Sequence, residues 1–109
     1  MNRQEIARKR RRITVEAILE VEVEREAILR ERLEELIGDA DAWKLDSVLV
    51  PGVPADELVL LERMLVLEPQ PDEDTKERYE SDIRELREDV EECERRQQAL
   101  RGFLHALGA

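Results

Sequence analysis

Aromatic residues are almost missing, with one Trp, one Tyr and one Phe among 109 residues. Large rings supply much of an ordinary core, so the core here must be aliphatic and thin. That favours a helical bundle or hairpin over deep globular packing. Cysteine is as scarce: Cys93 stands alone, which excludes an intrachain disulfide and gives no sign of an oxidising compartment. The single histidine, His105, lacks the second His or Cys that would complete a transition-metal site. The abundant acids show no EF-hand spacing, so neither metal nor cofactor is expected.

Long hydrophobic runs are absent as well. No apolar stretch reaches the about 18 residues of a spanning helix. The basic N-terminus is not followed by the apolar h-region and small-residue cleavage site of a signal peptide. These absences point to a soluble, cytoplasmic protein without a membrane partner. Also missing are a glycine-rich phosphate loop and any helix-turn-helix, zinc-finger or ribonucleoprotein signature. Ser47 and Ser81 have no catalytic context, and His105 lies more than three helical turns from Cys93. The expectation is a protein that is not an enzyme and has no small-molecule substrate. Lysine is rare against arginine, 3 to 15, and Asn occurs once, a balance that fits a GC-rich genome or a hot environment.

What is present is helix-forming and charged. Ala, Glu, Lys, Leu and Arg make up 62 of the 109 residues, above the roughly half that marks coiled coils and long helices. Charged residues are 42%, against about 25% in an ordinary domain. The net charge of −10 is unevenly spread: residues 1–12 hold six basic side chains against Glu5, and the rest of the chain holds twelve against 27 acids. A basic arm over residues 1–12, either free-standing or the start of the first helix, thus precedes one acidic helical domain over 13–109.

Residues 3–37 read as a long first helix, with Gly38 as its C-terminal stop and Asp39 and Asp41 in a following loop. Its apolar face carries Ala7, Val15, Ile18, Leu19, Leu29, Leu33, Leu36 and Ile37, and is interrupted by Glu22 and Glu26. Within it, Ile13 to Glu24 alternate apolar and polar as a strand would. The helix formers on both sides make helix the preferred reading. Residues 43–50 could be a short extended segment or one helical turn, ending at the Pro51-Gly52 turn. Pro54 opens a second helix to about residue 68. Leu58 to Leu67 make it apolar nearly all round, so it is either buried between other helices or, if not, a sticky surface. Asp74 and Glu77 resemble a capping box for a third helix over about 73–107. Glu80–Arg84, Glu91–Arg95 and Glu92–Arg96 are spaced for supporting pairs on that helix.

The most specific pattern lies on that third helix. Tyr79, Leu86, Cys93, Leu100 and Leu107 recur every seven residues, and Ile83, Val90, Gln97 and Leu104 fall four places after the first four. This alternating 4–3 spacing keeps one apolar seam facing a partner helix. The predicted fold is therefore all-α: an elongated helical hairpin or small bundle of long, short apolar and long helices with a coiled-coil seam. The seam can fold back on the first helix, or it can meet a second copy. In a parallel pair Asp82 attracts Arg87, but Asp89 meets Glu94 and Arg96 meets Arg101. Turned antiparallel, Glu80, Arg87 and Asp89 meet Arg101, Glu94 and Arg96, so an antiparallel homodimer is the self-pairing to expect.

The functional expectation is a protein-binding assembly, adaptor or regulatory factor acting through these nine seam residues. Trp43 serves as a core plug or a partner anchor. The alternative is a small nucleic-acid-associated regulator, dimerised by the third helix and touching phosphate through Arg8, Lys9, Arg10, Arg11 and Arg12.

Overall fold

A computed structural model describes residues 2–108, and within them every regular element is helical. Helix α1 runs Arg3–Leu49, a single 3-10 turn Val50–Gly52, α2 Ala55–Arg63 and α3 Glu73–Gly108. The two long helices pack against each other. Two compact units share them: one combines the chain up to Arg32 with the chain from Leu86 onward, the other is Leu33–Glu85. Among the described residues no helix is long and apolar enough to cross a membrane.

The alternating segment from Ile13 to Glu24 is helix, in line with its flanks. Side-chain burial explains why the alternation loses: Val15, Leu19, Glu22, Glu26 and Leu29 are the shielded positions, and they follow 4–3 spacing rather than every second residue. Asn2 starts the helix, its side-chain oxygen accepting from the Glu5 N–H at 2.8 Å. The basic residues 8–12 thus lie in the first turns of α1.

The expected stop at Gly38 is not used, and α1 continues for eleven residues beyond it. No glycine in the chain takes a positive φ among the described residues, so Gly38 does not form a left-handed cap. Instead Leu33, Leu36, Ala40 and Trp43 carry the shielded 4–3 spacing through the glycine. Burying that face outweighs the about 1 kcal/mol by which a mid-helix glycine disfavours helix. Pro51 is the real stop of the α-helix, because it has no N–H to donate to the carbonyl four residues back, and the chain tightens into the 3-10 turn instead. The segment 43–50, left open between extended and helical, is the end of α1 and the first residue of the 3-10 turn.

Helix α2 is shorter than its apolar content suggested, ending at Arg63 rather than near residue 68. Leu65 adopts φ 60°, with Leu65 N–H donating to the Glu62 carbonyl at 3.1 Å and Val66 N–H to the Leu61 carbonyl at 3.0 Å. This is a Schellman ending with leucine where glycine is usual. The chain then returns along the end of α1. Leu67 is buried, the buried Asp46 accepts from the Glu68 N–H at 3.3 Å, and Gln70 donates to the Trp43 carbonyl at 3.2 Å.

Helix α3 begins at Glu73, as expected, but its cap lies two residues before the Asp74 of the expected box. Asp72 is the cap, accepting from the Thr75 N–H at 2.7 Å, and the Thr75 hydroxyl, then this N–H, hold its carboxyl below the usual aspartate range. Of the anticipated ladder, Arg96 meets Glu92 at 3.4 Å, whereas Arg95 turns from Glu91 to Glu92 at 2.6 Å.

Candidate interaction surface

All nine seam residues of α3 are buried or half-buried. In the first unit, Leu86, Val90, Cys93, Gln97, Leu100, Leu104 and Leu107 lie on the side of α3 that meets α1. Val90 is 5% exposed and Cys93 1%. Polar contacts fix the alignment. Gln97 donates to the Glu26 carboxylate at 3.2 Å and accepts from Arg101 at 3.2 Å, Arg96 pairs with Glu22 at 3.6 Å, and Arg30 bridges Glu26 and Glu94. The interruptions at Glu22 and Glu26 in α1 therefore sit opposite Gln97 in α3. A buried polar layer of this kind costs stability and rejects shifted alignments. One Glu22 carboxylate oxygen remains buried without a partner among the described residues.

Cys93 packs beside that layer. Burial, and after it the neighbouring Glu22 carboxylate, push its thiol up from the ordinary cysteine value. A thiol held protonated is a poor nucleophile, so its chemistry is that of a small apolar side chain. An open cleft of about 610 Å³ lies alongside, walled by Glu26, Arg30, Glu94, Gln98 and Arg101. Acids and bases alternate on its walls, leaving no field of one sign for a charged ligand. Among the described residues no three His, Cys, Asp or Glu side chains converge as metal ligands would.

In the second unit, Tyr79 and Ile83 carry the α3 seam on, and the Tyr79 ring stands edge-on to Trp43 with centroids 4.4 Å apart. Trp43 is half-buried. The basic run is exposed. Arg12 donates to the Leu107 carbonyl at 3.3 Å, neutralising the end of α3 as a cation should. Arg8, Lys9, Arg10 and Arg11 take part in no ion pair among the described residues. Being consecutive on a helix, they point about 100° apart and spread around it rather than forming one cationic face.

The apolar surface of the second unit was only half legible. Leu45, Val48 and Leu49 on the last turns of α1, Val59 and Leu60 on α2, and Met64, Leu65 and Val66 at its exit are all exposed, from 49 to 89%. No residue of α2 is buried, and only Leu58, Leu61 and Glu62 are half-shielded. The most exposed of the set, Leu65, is also the residue in the left-handed conformation. Large aliphatic residues avoid that region on steric grounds. The residues of α1 in this set could have been found by continuing its helical periodicity past Gly38.

These features define a small all-α protein with an internally occupied heptad stripe and an exposed apolar surface. Comparison with protein-family models, with curated proteins and with solved structures found no match to this chain.

Proposed function

We propose that the chain is a non-catalytic protein-interaction module whose docking surface is the apolar face of the Leu33–Glu85 unit. Leu65 carries the reading. Its side chain is 89% exposed and lies at a left-handed position, where glycine would serve the fold without steric cost. A leucine there contributes little to folding, which leaves an external contact as its use. Leu60, Met64 and Val66 beside it in sequence, and Leu45, Val48 and Leu49 on α1, supply further apolar area of the kind that marks interaction sites.

In this reading the α1–α3 pairing is a scaffold, an antiparallel coiled-coil-type seam built from Val15, Leu19, Glu22, Glu26 and Leu29 against Leu86 to Leu107. The 4–3 spacing of shielded residues on both helices supports it. The seam is then the support of the module, and the α2 region its contact surface.

The test is affinity capture by the wild-type chain and by a Leu60→Ser, Met64→Ser, Leu65→Ser variant, followed by direct titration of the recovered protein. A partner that binds the wild type, ignores added salt and is lost with the triple variant supports the reading. Retention that is equal for both chains sinks it. Retention that vanishes with nuclease or in a variant lacking the charges of Arg8 to Arg11 transfers the function to the basic turns.

A further inference from the structure

The side of α1 that faces away from α3 in the first unit has a pattern that neither the seam nor the α2 surface uses. Ile6, Ile13, Val21 and Ile28 are 38, 59, 61 and 66% exposed. At 100° per residue they fall, with Ala17, in an arc of about 80° on the side opposite Val15, Leu19, Glu22, Glu26 and Leu29. Arg3, Arg10, Glu24 and Glu31 lie on the same arc and are exposed. No ion pair among the described residues engages any of these four charges.

This stripe is a palindrome of chemistry. Reversed about Ala17, Ile6 falls on Ile28, Ile13 on Val21, Arg10 on Glu24 and Arg3 on Glu31. Every apolar residue meets an apolar residue and every cation meets an anion. A stripe that complements its own reverse is what an isologous two-fold contact requires, since the same patch must serve on both sides. Binding a foreign helix would impose no such symmetry. A parallel pairing would instead set Arg10 against Arg10 and Glu24 against Glu24. The steps along the stripe from Ile6 through Arg10, Ile13 and Ala17 sum to eleven residues, and from Ala17 through Val21 and Glu24 to Ile28 to eleven again. That period stays close to the natural helical repeat, so the stripe runs nearly straight along α1.

We propose that two copies of this chain pair antiparallel through the outer face of α1 between Arg3 and Glu31, with Ala17 on the two-fold axis. Arg3 beside Arg32 of the second copy opposes the pairing at its exposed ends. The contact is separate from the α2 surface and does not depend on that surface having a partner.

Sedimentation equilibrium of the full chain over a range of concentrations tests the pairing. The wild type should dimerise reversibly. Arg10→Glu alone and Glu24→Arg alone each create two like-charge contacts per dimer and should weaken association about tenfold. The Arg10→Glu, Glu24→Arg double variant restores both pairs and should return close to the wild-type affinity. Both sites are on the surface, so circular dichroism should be unchanged in all three variants. Leu60→Ser, Met64→Ser in the other unit should leave the dimer intact. A monomer at every concentration overturns the proposal. So does a dimer indifferent to both reversals, or a double variant that associates no better than the single ones.

Discussion

At the scale of single residues, two side chains carry more information than their exposure suggests. Leu65 closes α2 at φ 60°, and a left-handed conformation costs a non-glycine residue about 1–2 kcal/mol. Leu65→Gly removes that strain but loosens the unfolded chain, so the net gain in urea unfolding should be up to about 1 kcal/mol. The same variant should bind a partner of the α2 surface less well. A loss of stability would instead mean that the leucine packs against the fold. Asp72 is the second case. Its folded-state pKa lies below the ordinary value because Thr75 donates to it. The cap therefore stabilises the protein at neutral pH and is lost as pH falls through the aspartate range, from about pH 5 downward. Asp72→Asn keeps an accepting oxygen and has no proton to gain. Thermal midpoints followed into acid should fall less steeply for that variant than for the wild type.

At the scale of elements, Gly38 is the informative position. It is exposed, lies within helix α1, and a Cβ added there would meet nothing within 4 Å. Gly38→Ala should stabilise the protein by about 0.5–1 kcal/mol through helix propensity alone, read from the urea midpoint. No gain would imply that the glycine serves a local bend. The same residue shows where sequence reading fails. Glycine after an apolar helical run is a stop signal by frequency, yet whether the stop is used depends on whether residues beyond it have something to pack on. Leu36, Ala40 and Trp43 do, and that is a tertiary fact. Helix α3 was legible almost to its ends because its nine seam residues repeat without interruption and its charges are spaced for helix. The cap was misplaced by two residues because Asp72 and Asp74 are chemically equivalent candidates. The length of α2 was overestimated because Met64 to Leu67 continue its apolar run, while the left-handed turn at Leu65 has no glycine to announce it. Of the candidate residues, the α3 stripe was visible as a stripe, but the occupant facing it was not. Spacing defines a face and leaves its partner open, whether α1 or a second copy.

At the scale of the whole molecule, the two units differ in what holds them while sharing their helices. The first unit has aliphatic contacts around the polar layer of Glu22, Glu26 and Gln97. The second has the Trp43–Tyr79 pair, the buried Leu36 and Leu67, and the Asp46 contact to the returning chain. Their boundaries fall at Arg32 in α1 and before Leu86 in α3, both inside continuous helix. Melting one unit alone would have to break two helices in mid-run and leave fresh unsatisfied backbone groups at each break. Helix nucleation is costly and its propagation cooperative, so the boundary is a poor place for a stable unfolding intermediate. Trp43 is the only tryptophan, and its fluorescence reports the second unit alone, whereas far-UV circular dichroism reports helix in both. In urea the two signals should trace one transition with one midpoint, the signature of two-state unfolding. A fluorescence change that precedes the loss of helicity would mean that the second unit opens on its own. Its exposed apolar surface would then belong to the less stable part of the molecule, and partner binding there would be expected to raise the first midpoint and leave the second in place.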